Sequence, residues 1–553
     1  MLIDLEEVEK PFSAKSTVCI AGGGIAGLVL ATALADAGID VHLLEAGGRE
    51  IEGRSQSIYD AEMASTKHAG TSEGRFRVFG GTSTRWGGQI LPYTDDVFLP
   101  PVALSTHQWP VTAAALRPFY RRVEELLGIN NLSFDAEVLE TWNAVLPSWL
   151  KTNQNLALRF SKWAPFSRRN LAQTLGIKAI RSGRISVFLH ANVTECLLSP
   201  DGMSIEAFLV RNYRGTRFRF VGQQYVMATG TIETSRLLLA SSSVCPRGVG
   251  NCHGQVGRMF HDHVSAPVAT VNGKARSQLL TWLGPYFSRG TTHTGRFEAT
   301  AELRRQYALP AIMAHLTIEE PEESGIVIAR DLFRSIQRGN TFSVIRGKYR
   351  RLPAASLQIV RLGYHARINH RRVVSPQATV TLRVDCEQSV RSENRIRLSE
   401  YAKDALGIPK AIVDWRVSQC EIQSMRRYAQ FLHRELNRRG LAAIDWHPGA
   451  LRLRSDDFPS IRDTNHPMGG TMMGHDPRQS VVDDNLRVHG VDNLYIASCS
   501  TFPSGGSSNP TFTMMALAFR LSEQLTRIAG YSGASYTVSQ VPSRSDELMS
   551  PLR

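Results

Sequence analysis

Apolar residues are grouped in short blocks along the first fifty positions. Thr17–Ala21 is a run short enough for a strand buried on both faces of a parallel sheet. An alanine- and leucine-rich stretch follows, with helical character and a C-terminal stop at Gly38, and a second apolar run then ends in Glu45. Between 185 and 227 the pattern changes to apolar–polar alternation around turn signals such as Ser199-Pro200-Asp201-Gly202, as in paired strands. Val491–Ala497 is again strand-like, with Leu494-Tyr495-Ile496 at its centre. Thr511–Leu525 is an apolar helical run, and Asn509-Pro510 stands where that helix begins. No internal repeat is present. The pattern predicts an α/β chain of composite α+β character.

The junction between the first strand and helix carries chemistry. It reads Gly22-x-Gly24-x-x-Gly27. Gly22 allows a tight turn, Gly24 lets a pyrophosphate approach the backbone, and Gly27 lets helix and strand pack closely. Amides at the helix start, around Ile25 and Ala26, take up phosphate charge. Glu45, 18 positions after Gly27, is placed to accept hydrogen bonds from a ribose. A dinucleotide site is expected, and this motif does not choose between FAD and NAD.

Length changes the picture by requiring two to four domains or one large composite fold, since 553 residues exceed a single ordinary domain. With 42% hydrophobic and 21% charged residues, the chain has an ordinary globular balance that excludes wholesale disorder. Its formal charge of +14 permits anionic partners without naming one. Much of that charge falls in 330–372, where Arg334 and Arg338 share a helical face and Phe333 and Ile336 take another side. This segment suits a solvated surface, or a docking face for an acidic glycan, a sugar phosphate, a membrane or a redox partner. No recognition fold for nucleic acid accompanies it. The seven cysteines form no C-x-x-C pair, which argues for free thiols in a reducing compartment. The N-terminus shows no secretory pattern, so the expected location is cytoplasmic.

Four further segments extend the reading. Residues 79–93, FGGTSTRWGGQILPY, surround Trp86 with glycines and hydroxyls and suit a backbone that passes close to a flat ligand. Residues 465–524 contain HPMGGTMMG and SGGSSNPTFTMMALA. With YVMATGTIETSRLLLAS (225–241) and VGRMFHDH (256–263), these pieces lie in family order along nearly the whole chain. Together they resemble the glucose–methanol–choline (GMC) oxidoreductases, and the 391–409 segment and NPTFT look most like the pyranose oxidase and C-glycoside oxidase branch.

The resemblance implies a Rossmann-type FAD-binding domain built from 14–100, 185–260 and 455–530. A discontinuous substrate-binding domain containing a β-sheet would comprise 101–184 and 261–454, and the Ser- and Pro-rich tail 536–553 is expected to be poorly ordered. It implies a cofactor site at Gly22, Gly24, Ile25, Ala26, Gly27, Glu45, Gly81, Thr82, Trp86, Gly87 and Gly88. Val193, Ala228, Ser498, Pro510 and Thr511 complete that expectation. His466, heading HPMGGTMMG, takes the position of the family's catalytic histidine, and Asn509 the second position, which hydrogen-bonds the same substrate oxygen. Where pyranose oxidases carry a histidine bonded covalently to the flavin, this chain has Arg85, whose guanidinium cannot serve in that way. FAD is therefore expected to be bound non-covalently, with its ring between Thr82–Gly88 and His466.

The expected reaction is oxidation of a secondary ring hydroxyl of a sugar or glycoside to a ketone, with a His base and hydride transfer to flavin N5. Oxygen or a quinone-like carrier would reoxidise the flavin. Alternatives are oxidation of a polyol, aminoglycoside or aromatic alcohol, a hydroxynitrile-lyase reaction, or a redox-silent binding protein. Cys252, His253, His261, Asp262 and His263 have the residue types of a zinc site, but the matching family segment holds no metal, and none is expected.

Overall fold

The computed structural model describes residues 1–99, 107–322, 324, 327–328, 364, 370–371, 374–441, 443–452 and 457–531. The tail 536–553 and the basic segment 330–372, apart from Tyr364, His370 and Arg371, lie outside the described residues.

Strand Ser13–Ala21 is central to the first sheet because Val18, Cys19, Ile20 and Ala21 are all fully buried. It pairs in parallel with Val41–Leu44 on one side and with Arg217–Met227 on the other. Ile185–Leu189 and the N-terminal strand Leu2–Asp4 extend the parallel array at one edge. At the other, Leu494–Ile496 pairs in parallel with the end of Arg217–Met227, and the strands Ile205–Arg211 and Asn192–Leu198 add an antiparallel ribbon. Helix Ile25–Asp36 buries Leu28, Val29, Leu30 and Leu34 around much of its circumference because it lies between this sheet and helix Thr511–Tyr531.

The second sheet is antiparallel. Its order is Ile444–Trp446, His263–Val271, Thr379–Glu387, Ile312–Glu319, Thr291–Ala299, Leu156–Trp163 and Gln89–Ile90, with Pro285–Ser288 and Arg462–Asp463 pairing beside it. Period-two alternation gives it two unlike faces. Val264, Ala266, Leu382, Val384, Ala314 and Phe297 belong to its buried apolar core, to which helix Gln419–Arg438 contributes Met425, Tyr428 and Leu432. That helix is fixed at its start by a capping box between Ser418 and Glu421. The opposite face carries Ser265 beside Asp385, and Arg383, His315, Arg296 and Arg159 in adjacent register.

Some expected boundaries differ from this arrangement. Residues 89–90 and 462–463, expected in the FAD-binding domain, hydrogen-bond into the second sheet. Helix Ala113–Leu127, expected in the substrate-facing part, packs on helix Thr511–Tyr531. Its apolar stripe of Leu116, Phe119, Tyr120, Val123 and Leu127 belongs to the first core. Among the described residues, no helix is long and apolar enough to cross a membrane.

Candidate functional site

The carboxyl ends of the parallel strands open into a cavity of about 1420 Å³ of empty space, its mouth included. Gly22 turns the chain there with φ +104°, and an added Cβ would lie 2.4 Å from the Ala228 carbonyl oxygen. At Gly27 an added Cβ would lie 1.9 Å from the Gly22 carbonyl oxygen, so this glycine permits helix to meet strand and does not itself line the cavity. Gly24 caps helix Ile25–Asp36 without a side-chain hydrogen bond. It faces Gly81, whose φ is +54° and whose added Cβ would approach Gly24 Cα to 2.9 Å. The uncapped helix start and this gap between two glycines suit a pyrophosphate.

Glu45 closes the same region. Its two carboxylate oxygens accept the Gly23 and Gly47 amides, each at 2.8 Å. Burial pushes its pKa up to about 6 against the pull of those amides. Each oxygen retains a lone pair for a ribose hydroxyl. The glycine gap and this acceptor fit the adenosine diphosphate half of FAD.

Gly22, Gly24, Ile25, Ala26 and Glu45 line the cavity together with Val193 and Ala228; Gly81, Thr82, Ser498, Pro510 and Thr511 also line it, as does His466. Trp86, Gly87 and Gly88, expected at the cofactor, are not among the residues that line it. The Trp86 indole instead donates to the Arg169 carbonyl at 2.7 Å, and the side of Gly87 is filled by the Trp163 ring. These residues pack the loop onto the 163–169 segment, and Arg85 is exposed.

Several lining residues were not among the expected site residues. Arg75 lies over the Tyr59 ring at 4.2 Å, and Arg77 donates to Asn192 at 2.6 Å. Arg236 joins Glu233 to Asp404, which anchors the loop carrying Leu406 and Ile408 at the cavity wall.

His466 is half-buried at the cavity wall. Its Nε2 is 3.0 Å from Asn509 Nδ2, while Nδ1 is 2.8 Å from Thr464 Oγ1 and 3.0 Å from His263 Nδ1. Burial foremost, then neighbouring His263, lowers its pKa to about 4 despite the opposing fields of Asp262 and Asp385. The imidazole is thus neutral at pH 7 and able to take a proton. Arg296, which donates to the Ser507 carbonyl at 2.8 Å, ties the polar face of the second sheet to the loop that bears Asn509.

The five residues with zinc-ligand chemistry do not form one cluster. Cys252 and His253 sit exposed in a turn, and His261 is buried with Nδ1 2.8 Å from the Met259 carbonyl. Asp262 and His263 do approach His466, and Asp262 also meets His68 and Asp463. Asp262 is engaged by hydrogen bonds from His68 Nε2 at 3.1 Å, the His466 amide at 2.8 Å and the Thr464 hydroxyl at 3.1 Å. Burial alone would raise its pKa, but the His68 bond and the nearby imidazoles outweigh burial and hold it below the usual carboxylate range. Asp463 is likewise occupied by the Ala69 and Gly70 amides.

A dinucleotide cradle under a parallel sheet, with a neutral histidine at its wall, suits an FAD-dependent oxidoreductase. Family comparison agrees: residues 390–518 match the model described as GMC oxidoreductase, and residues 15–78 match an FAD binding domain. The C-terminal part of the chain thus matches the GMC oxidoreductase C-terminal domain, and the cofactor is FAD.

Among curated relatives, the chain is similar to the fructose dehydrogenase large subunit of Gluconobacter japonicus. That match is 28% identical and covers 56% of this chain but only 48% of the relative. The 6'''-hydroxyparomomycin C oxidase of Streptomyces lividus is 25% identical, over 92% of this chain and 91% of the relative. Among solved structures, pyridoxine 4-oxidase from Mesorbium loti shares the fold with a TM-score of 0.55 at 17% identity. That alignment covers 92% of this chain and 99% of the other.

Proposed function

We propose that the protein oxidises a secondary ring hydroxyl of a sugar or glycoside to a ketone, with His466 as the base. The observation that carries this reading is a neutral imidazole at the wall of the FAD cavity, with Nε2 beside the Asn509 amide at 3.0 Å. His466 Nε2 takes the hydroxyl proton, and Asn509 donates to the same oxygen and holds it in place. FAD, when bound, supplies the acceptor for the hydride that leaves the carbon. Gly22, Gly24 and Gly81 would hold its pyrophosphate, and Glu45 its ribose. A polar substrate is compatible with the polar face of the second sheet, from which Asp385 and Arg296 act electrostatically on His466. The relative named for a hydroxyparomomycin keeps an aminoglycoside alcohol as the second reading.

The test is anaerobic. Sugars and glycosides are expected to bleach the flavin absorbance under argon, and mixing the reduced protein with oxygen or with a quinone-like dye identifies the acceptor. Bleaching by aminoglycosides alone selects the second reading. No bleaching with any alcohol defeats both and points to a lyase or a binding protein.

The flavin is proposed to be held non-covalently. Arg85 replaces the tethering histidine and is exposed, and no histidine lies between Gly80 and Tyr93. Acid precipitation should release yellow colour into the supernatant. Flavin retained in the washed pellet would contradict the assignment.

A further inference from the structure

Which nitrogen of His466 bears the hydrogen follows from the groups around it. Asp262, as a carboxylate, can only accept. Its Oδ1 lies 3.1 Å from Thr464 Oγ1, so the Thr464 hydroxyl hydrogen points to Asp262 and leaves that oxygen as an acceptor on its other side. His466 Nδ1 is 2.8 Å from this oxygen and must therefore supply the hydrogen between them. The reverse choice would set the Thr464 and Asp262 oxygens lone pair to lone pair.

His263 is arranged compatibly with this choice. Its Nε2 is 3.1 Å and 2.9 Å from the Gly505 and Gly506 carbonyl oxygens, which accept only, so Nε2 carries a hydrogen. Its Nδ1 faces His466 Nδ1 at 3.0 Å. Only one hydrogen fits between the two nitrogens, and the Thr464 hydroxyl, already directed at Asp262, assigns it to His466. At the far side of the ring, Asn509 Nδ2 donates toward Nε2. Thr464 requires hydrogen on Nδ1, Asn509 places a donor against the lone pair of Nε2, and His263 accommodates both.

We infer that Asp262, Thr464 and His263 are positioning residues that lock His466 as its Nδ1–H tautomer, so that Nε2 alone is open to a substrate proton. The inference rests on the reading of His466 as the base. None of the three lines the cavity. They act by spending the one hydrogen of the neutral imidazole on the side away from the reaction. When Nε2 gains a proton, the Nδ1–H bond to Thr464 becomes charge-assisted and therefore stronger, with the Asp262 carboxylate one hydrogen bond further on. His68 anchors that carboxylate through its Nε2 at 3.1 Å.

The experiment uses FAD-loaded protein carrying ¹⁵N-labelled histidine, with the His466 signals identified by their loss in His466→Gln. Wild type and Thr464→Ser are expected to show a protonated Nδ1 and an unprotonated Nε2. The Thr464→Val/His263→Gln double variant, with flavin content verified by absorbance, should shift toward hydrogen on Nε2. Its limiting rate of anaerobic flavin reduction should fall about 10-fold or more at unchanged substrate affinity, because part of the general-base contribution is lost. Thr464→Val alone should lie between the double variant and wild type, and Thr464→Ser should stay near wild type. Hydrogen on Nε2 in wild type overturns the inference, as does a double variant with wild-type tautomer and rate. If His466→Ala instead reduces its flavin at the wild-type rate, the base reading fails while the tautomer is still decided by the nitrogen signals.

Discussion

Replacing His466 by Ala is expected to leave FAD bound and to slow anaerobic flavin reduction by about 100-fold or more, the scale of a lost general base. FAD should remain because its expected holds, the Gly22–Gly27 turn, the Gly24–Gly81 gap and Glu45, do not depend on the His466 side chain. The rate should collapse because the other histidines of the region are spent. His263 has its Nε2 directed at two carbonyls, His68 is bound to Asp262 and Thr71, and His261 is buried against Met259. In wild type the low pKa of about 4 also sets a pH window. The neutral base is present at neutral pH and remains so on acidification until protonation near pH 4 removes it. The reduction rate should therefore hold from pH 7 to about 5 and drop as pH 4 is approached. Stopped-flow reduction under argon measures both effects. Near-wild-type reduction in His466→Ala would remove this residue from the mechanism.

How much of this was legible in the sequence depended on the range over which each residue acts. The strand–glycine–helix–strand unit was readable because its requirements are local. Gly22 must turn at once, Gly27 must clear a carbonyl five positions away, and Glu45 ends the next strand. His466 and Asn509 were found by family resemblance, and their contact at 3.0 Å joins residues 43 positions apart that no periodicity would pair. Trp86 shows the limit from the other side. A tryptophan among glycines looks like a shelf for a ligand, but its indole is bonded to Arg169, 83 residues further along. Helix 113–127 shows the same limit, since an amphipathic stripe predicts burial without naming its partner, here helix Thr511–Tyr531. Asp262 has the residue type of a metal ligand beside its histidines, although no metal is expected there. Its actual hydrogen bonds to His68 and to the 464–466 loop cross 194 and 202–204 positions, a distance over which composition carries no information.

Arg236 is the extreme case of such a long-range group, and its loss should be the most costly for stability. The guanidinium is buried to 1% exposure and donates to Glu233 at 2.8 Å, to the Pro409 carbonyl at 2.8 Å and to Asp404. Arg236→Met would keep much of the side-chain volume but leave two buried carboxylates without their cation. Breaking a buried ion pair from one side in this way costs about 3–5 kcal/mol, whereas removing both charges together is far cheaper. Urea unfolding of the FAD-loaded protein should show that loss, and Arg236→Met/Asp404→Asn should recover part of it because one stranded charge is gone. The effect should reach the cofactor as well. Asp404 also accepts the Leu406 and Ile408 amides at 2.8 and 3.0 Å, and Leu406 and Ile408 form part of the cavity wall. Without Arg236 that loop loses its tie to helix Thr231–Ala240, so FAD should dissociate more readily, and free FAD should protect the variant from unfolding only at higher concentration. An unfolding midpoint and a flavin affinity both equal to wild type would show that Arg236 does not hold this wall.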